Sequence, residues 1–494
     1  MLSPVPKLIV TDNPATWRLG EGVEVVAAQE YLTNERFVSL RRTRVFNLCR
    51  SYAYQSVGYY VSLLAEARGQ KPIPSVSTMQ DLRLAPVVRV VSEELEDLIG
   101  RALSGVQSAS FVLEVYFGRS VDSRYGRLAR ALYNHFPAPL LRARFARGDE
   151  WELERVRPIA VSEIPPEHRA FLEAEANRYF ERSHEPRKTD VEYRYDLAIL
   201  VDPGETDAPS DDVALQKFVR AAARLGIEAT MIEREDFGRL AEFDALFIRE
   251  TTRVNHHTYR FSRRAESEGL VVVDSPESIL RCTNKVYLAE LLRRHGVPIP
   301  RTLVVGEGTD PNRIVTELGF PCVLKRPDSS FSTGVVKAGS AGELAKHLGA
   351  FFRDSELIVA QEFVPSSFDW RVGVLERRPL YACRYHMVEG HWQIQKSGKA
   401  GWRRYGKAES VPLDAVPEKV MKASLASASL IGDGLYGVDV KEIGGRVMVM
   451  EVNDNPSIES GIEDGGREDL YQAIMRYFLD RLEERGRGRD SQTA

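Results

Sequence analysis

At 494 residues the chain is too long for one core, and at ~100–200 residues per domain about three lobes are expected. A hydrophobic share of 43%, a charged share of 28% and a formal net charge of -4 are those of a globular protein without the global basic field that drives nonspecific nucleic-acid binding. No apolar run approaches the ~20 residues needed to span a bilayer, and Met1–Pro6 lacks the regions of a signal peptide. The four cysteines, Cys49, Cys282, Cys322 and Cys383, have no metal or redox spacing, so buried reduced thiols and a cytoplasmic location are expected.

In chain order, Lys7 to Val10 and Val45 to Cys49 are short apolar runs suited to buried parallel strands. Ser51 to Ala67 has helical spacing and ends near Gly69. Ala109 to Phe117 and Trp151 to Val161 read as strands, and Pro165 to Arg182 as a helix with proline in its first turn. Residues 1–182 are therefore expected to form an α/β domain. The polar stretch 183–194, with Pro186, is the expected linker. A second α/β start follows over 195–280. Its expected strands are Asp196 to Val201, Ala229 to Ile232, Ala245 to Ile248 and Leu270 to Val273, with a helix over Val213 to Leu225. No fixed-period repeat is apparent. The catalytic region is expected over 281–484, and a disordered tail over 485–494.

Four motifs carry chemistry. The first is Gly437-Val438-Asp439-Val440, a Gly444-Gly445 turn, then Val449-Met450-Glu451-Val452-Asn453. This hairpin places two acids and an amide on adjacent strands, a hard oxygen set of the kind magnesium prefers. The second is a strand ending at Lys325, followed by a loop of small residues from Ser329 through Ser332 to Gly334. A lysine beside small residues suits phosphate oxygens. The third is the apolar strand running into Gln361-Glu362-Phe363-Val364, then Asp369-Trp370-Arg371. Such a segment offers a nucleotide base backbone groups and an apolar slot. The fourth is a helix opened by Asn284-Lys285 and stopped at Gly296, followed by Val297-Pro298-Ile299-Pro300-Arg301-Thr302.

In this order the motifs resemble the ATP-grasp superfamily, and within it the RimK-like glutamate ligases over about Tyr195 to Leu482. The N-terminal part resembles the RimK-like ATP-grasp N-terminal domain in length and placement. The resemblance implies an α/β chain: an N-terminal α/β domain, a pre-ATP-grasp parallel sheet, then two α+β lobes clamping ATP. It implies Lys285, Lys325, Ser332 and Gly334 at the phosphates. Glu362, Phe363 and Val364 would hold the adenine, with a carboxylate from the first, and Asp369 would sit near the ribose. Asp439, Glu451 and Asn453 would hold two Mg2+ ions, with Mn2+ as an alternative. The implied reaction phosphorylates a carboxylate and lets an amine attack the acylphosphate.

Arg371 and Arg384 are candidates to neutralise the tetrahedral intermediate, and Lys396 stands where the family carries a positive charge. Gln393, Gln395, Arg249 and Asn455 are substrate-binding candidates. The phosphate loop departs from the family in carrying Ser329 and Ser332 where glycines are common, and Gln395 and Lys396 replace an asparagine and an arginine. Expected partners are amino-acid and carboxylate substrates, with a peptide, protein or small-molecule acceptor. No membrane or nucleic-acid partner is expected, and a homo-oligomer is compatible. The alternatives are a dipeptide or glutathione-synthetase-like ligase of free small molecules, and an ATP-sensing regulator without turnover. His256-His257 reads as a polar loop whose rings face apart, Arg41-Arg42-Thr43-Arg44 as a solvated face, and Tyr52, Tyr54, Tyr59 and Tyr60 as core and rim of one helix.

Overall fold

A computed structural model describes residues 7–17, 23–40, 43–181, 193–328, 334–397 and 403–492. The expected linker, apart from its last two residues, lies outside them, as do Ser329 and Ser332. The chain divides into two units, one of residues 1–195 with 235–243 and the other of 196–234 with 244–494. The short segment 235–243 thus belongs to the first unit, although in sequence it interrupts the second α/β start.

The first unit contains a four-stranded parallel sheet of Lys7–Thr11, Val23–Ala27, Arg44–Asn47 and Lys71–Ile73, with the first strand lying between the second and third. Its Leu8, Val10, Val45 and Val61 side chains form one apolar layer. Beyond Asn47 the helix begins only at Val57, capped by the Ser56 side chain, so Tyr52 and Tyr54 precede it. Tyr54 is exposed, whereas the Tyr52 hydroxyl donates to the Asn47 carbonyl. The rest of the unit is built differently. Ser110–Tyr116, Leu140–Arg147 and Trp151–Pro158 form an antiparallel sheet. Within Leu140–Arg147, Arg142 and Arg144 alternate with Leu141, Ala143 and Phe145, so one face of this stretch is polar and the other packs on the core. The helix Arg169–Glu181 contributes Leu172, Ala176 and Phe180 to a shared core with Ile9, Phe46 and Tyr116. Thr43 and Arg44 are buried rather than solvated, and Arg44 pairs with the fully buried Glu242 at 3.3 Å.

The second unit opens with another four-stranded parallel sheet. It comprises Tyr195–Leu200, Ile227–Ile232, Ala245–Ile248 and Val271–Val273, in the same spatial order as the first. From the third strand onward, Arg44–Asn47 and Ala245–Ile248, the two layers correspond at residue numbers that differ by about 200. Helices Val57–Ala67 and His257–Ser267 match, Gly69 and Gly269 follow them at positive φ, and Ser75 and Ser275 cap the next helices. Ser62 and Ser262 each donate to the carbonyl twelve residues on. The repeat escapes inspection of the sequence because topology and caps recur while most side chains do not.

Two antiparallel sheets follow. The first has the order Thr302–Gly306, Leu357–Glu362, Cys322–Lys325, Val335–Ala338 and is packed by helices Pro311–Leu318 and Ala341–Phe351. The second has the order Ala408–Ser410, Arg378–His386, Phe368–Leu375, Leu435–Ile443, Arg446–Asn453. Helix Glu418–Ile431 covers one face of this second sheet, packing Val420, Ala423 and Ala428 on Trp370, Val372 and Val438. The last helix, Asp469–Gln492, packs Tyr471 and Phe478 against Phe218 and Phe247 of the parallel layer. It runs to Gln492, into the stretch from 485 expected to be disordered. Among the described residues no helix is long and apolar enough to cross a membrane.

Candidate functional site

The hairpin carries the centre of the site. Asp439 pairs with Glu451 across it, and Gly437 pairs with Asn453. On the other side Asp439 pairs with Arg371 of the neighbouring strand. Three strands thus place Arg371, Asp439 and Glu451 in one row. The Arg371 guanidinium grips Asp439 through both oxygens, Nε on Oδ1 and a terminal nitrogen 2.8 Å from Oδ2. Gly437 makes room for it: a Cβ there would sit 3.0 Å from the Arg371 Cδ and 2.7 Å from the Pro456 Cβ.

Glu451 closes the row against Lys285, whose Nζ lies 3.0 Å from Oε1. Lys285 is the first residue of its helix. Asn284 caps that helix on the Val286 and Tyr287 amides, and its amide group donates to Asp328 at 2.9 Å. Burial raises the Asp439 pKa and outweighs Arg371, with Glu451 and Asp369 adding to the rise. Burial also acts to raise the Glu451 pKa, but the Lys285 and Lys325 cations overcome it and lower it. Lys325 itself is pushed down to about 8, first by burial and then by Lys285 and Lys441, against the opposing pull of Glu451. Asn453 turns its amide nitrogen to the Gly437 carbonyl and Asp439 Oδ2, at 3.2 and 3.3 Å, leaving Oδ1 as an acceptor.

A cleft of about 810 Å³ lies beside this row. Lys285, Lys325, Asp369, Asp439 and Glu451 form its polar side, and Val323, Val335, Met450 and Ile394 its apolar side. Phe363 and Trp392 both line it, in a T-shaped contact at 5.8 Å, with the Lys337 ammonium 4.8 Å from the Phe363 ring. Val364 and Gln393 also reach it. Lys441 lines it as well and holds Asp369 at 2.8 Å. No sequence motif singles out Lys441 or Trp392. Lys441 follows Asp439 by two on the same strand, which is the available signal. Trp392 had none beyond being an aromatic residue in a loop.

A second, larger cavity of about 1780 Å³ shares Ile394, Asp439 and Glu451 with the first. Arg371, Tyr385, Gln395, Asn453, Asn455, Thr251, Thr252 and Glu463 are among its lining residues. Asp439 and Glu451 thus line both spaces, and Arg371 lines the second.

Several candidates sit differently from expectation. Arg384 is opposite Trp370, whereas Arg371 is opposite Cys383. Alternation therefore points Arg384 to the helix-covered face, where its guanidinium lies 4.6 Å from the Trp370 ring. Its neighbour Tyr385 faces the cavity instead and donates its hydroxyl to Glu463. Arg249 is 1% exposed and absent from both linings. It is saturated by Ser210, the Pro209 and Pro456 carbonyls and Asn455 Oδ1 at 2.6–3.1 Å. Glu362 lines the first cleft, but its carboxylate is occupied by the Arg301 amide and guanidinium at 3.0 and 2.9 Å and by Arg446 at 3.2 Å. Burial acts to raise its pKa, and these donors overcome that and lower it. Gly334 sits at φ +77 and accepts the Arg326 amide, at the foot of the small-residue loop. Lys396 lies on the short strand Gln395–Ser397, paired with Arg403–Tyr405; its side chain lies outside the described residues. The rings of His256 and His257 do not face apart: their centroids are 4.0 Å apart. His256 is the extended N-cap and His257 the first helical residue, and the backbone turn between them swings both rings to one side.

Comparisons with known proteins find similarities to both halves of the chain. Residues 28–175 match the RimK-like ATPgrasp N-terminal domain and residues 282–477 the RimK-like ATP-grasp domain. A probable alpha-L-glutamate ligase of Syntrophotalea carbinolica is 28% identical over 242 residues, 48% of this chain and 77% of that protein. One of Teredinibacter turnerae is 27% identical over 248 residues, 50% of this chain and 79% of that protein. Among solved structures, a RimK domain ATP-grasp protein of Sphaerobacter thermophilus is similar at 18% identity and a TM-score of 0.44, covering 57% of this chain and 98% of that one. D-alanine–D-alanine ligase of Bacillus anthracis is similar at 15% identity and a TM-score of 0.47, covering 60% and 99%. The protein is an ATP-dependent carboxylate–amine ligase of the ATP-grasp class. Within that class, the chain belongs to the RimK-like family, with a RimK-like N-terminal domain ahead of its ATP-grasp domain.

Proposed function

We propose that the chain activates a carboxylate as an acylphosphate and joins it to the amino group of an amino acid such as glutamate. The acceptor is a peptide, a protein terminus or a small carboxylic acid. The observation that carries this reading is the Arg371–Asp439–Glu451–Lys285 row standing between two cavities. A reaction that moves a phosphoryl group from a nucleotide to a second substrate needs that arrangement: one chamber for each, with the charge-handling groups on the wall between them.

In this reading the adenine lies against the Phe363 and Trp392 rings, beside Val364, Val335 and Met450. Asp369, fixed by Lys441, faces the ribose. Lys285 and Lys325 contact the phosphates. Asp439, Glu451 and Asn453 fit magnesium: all three offer oxygen, and Asn453 already directs its nitrogen away from that role. They would hold two ions, and manganese suits the same donors. Bound there, magnesium neutralises the charge of the transferring phosphoryl group. Arg371 lines the substrate cavity and holds Asp439 in place. A carboxylate oxygen attacks the γ-phosphorus and ADP leaves. The amine nitrogen then attacks the acyl carbon, phosphate departs with the original carboxylate oxygen, and the amine proton passes to solvent. Gln393, Gln395 and Asn455 line the path of the two substrates.

The path is tested with a carboxylate substrate carrying 18O. The reading predicts one 18O in the released phosphate and ADP as the nucleotide product. AMP as product, or phosphate free of label, would overturn it.

A further inference from the structure

We propose that Glu250, His256 and His257 form a binding site for a zinc-class divalent transition-metal ion, sharing no residue with the Asp439, Glu451 and Asn453 set. One donor atom from each of the three residues lies within 4.8 Å of the other two. Ligands about 2.0–2.2 Å from one zinc ion lie roughly 3–4 Å apart, so small side-chain rotations close the set. Two imidazoles and one carboxylate select zinc, cobalt or iron(II) over magnesium or calcium, which favour oxygen alone.

A second observation points to a missing ligand. Glu250 is 1% exposed, and its Oε2 accepts from His257 Nε2 at 2.5 Å. The other oxygen, Oε1, is buried with no hydrogen-bond partner among the described residues. A satisfied buried acid–histidine pair would not leave a carboxylate oxygen bare, because desolvating it costs about 1–3 kcal/mol or more. A metal ion supplies the missing partner. His257 is 9% exposed, whereas His256 is half-buried and gives the ion an entry path. His256 Nδ1 meets the Thr258 hydroxyl at 3.1 Å, the type of outer contact that orients a metal-bound imidazole.

The site is tied to the substrate cavity. The Glu250 carbonyl accepts from Asn455 at 2.6 Å. The next two residues, Thr251 and Thr252, line the cavity, and Thr252 donates to Asp454 at 2.8 Å. An ion at Glu250 therefore braces the loop that forms this wall.

The test uses full-length protein stripped with chelator and then titrated with Co2+ under excess Mg2+, which occupies the oxygen-ligand site. The expected result is one tightly held Co2+ per chain with a visible band of imidazole ligation. That band is lost in His256→Asn and kept in Asp439→Asn. Asparagine is a favourable N-cap, so His256→Asn leaves helix His257–Ser267 intact, and its circular dichroism is checked alongside. Absence of a Co2+ band in the wild-type protein, or a band unchanged in His256→Asn, overturns the proposal. Because the readout is a spectrum, its failure leaves the ligase reading to be judged by its own assay.

Discussion

Replacing Arg371 with methionine leaves Asp439 buried with its main counter-charge gone. Both side chains are largely shielded, at 11% and 15% exposure, and the guanidinium is bidentate. Breaking a buried pair from one side costs about 3–5 kcal/mol. At ~2 °C per kcal/mol for a large chain, the melting transition of the nucleotide-binding unit falls by about 6–10 °C in the metal-free protein. The loss depends on pH with a definite sign. The folded Asp439 pKa already lies above its ordinary value, and the substitution raises it further. The penalty is therefore absent below the unfolded pKa, grows as pH rises through the folded one, and is largest at neutral pH. Mg2+ with ADP restores the missing positive charge and recovers part of the transition. Differential scanning fluorimetry across pH, with and without Mg2+ and ADP, measures all three effects. A transition that is unchanged, or lowered equally at every pH with no recovery by Mg2+, would refute the reasoning.

Three further outcomes are expected. Trp392→Ala removes one of the two rings flanking the proposed adenine slot and, at about 1–3 kcal/mol for a base–aromatic contact, raises the KM for ATP by roughly tenfold with kcat little changed; steady-state kinetics at varied ATP checks it. Lys325 loses its proton as pH rises through about 8, so ATP affinity weakens above that pH, and Lys325→Arg flattens the profile; calorimetry from pH 7 to 9 reads both. Arg384→Met leaves kcat/KM within about twofold, because the side chain stacks on Trp370 away from the cavities; a drop of a hundredfold or more would return Arg384 to the reaction.

How much of the site was legible follows from how local each signal is. Asp439, Glu451 and Asn453 share one hairpin, and the Gly444-Gly445 turn between them makes their pairing readable without any other element. Lys285 and Lys325 end or begin elements with clear boundaries. Arg384 was misplaced because its direction depends on which residue faces Arg371 in the next strand, and that register is set by tertiary pairing rather than by its own strand. Arg249 looked like a ligand-binding residue at a strand end; its partners are Ser210 and Asn455, far away in sequence, and only folding shows that it is saturated. Glu362 was read as a base-binding carboxylate, and Arg301 reaches it across the sheet from 61 residues away. In the first unit Lys7 to Val10 and Val45 to Cys49, expected as parallel strands, pair in parallel. The sequence marks Ala109 to Phe117 and Trp151 to Val161 as strands without fixing their direction, and they lie in an antiparallel sheet with Leu140–Arg147.

The central claim is tested most directly by incubating the protein with ATP, Mg2+ and a matrix of amino acids and carboxylate acceptors, then measuring ADP and product mass together. The account predicts, for at least one pair, a product equal to the two substrates less one water, formed one-for-one with ADP, and abolished in Glu451→Gln with the fold intact. ADP absent with every pair, AMP in its place, or full activity in Glu451→Gln would contradict it.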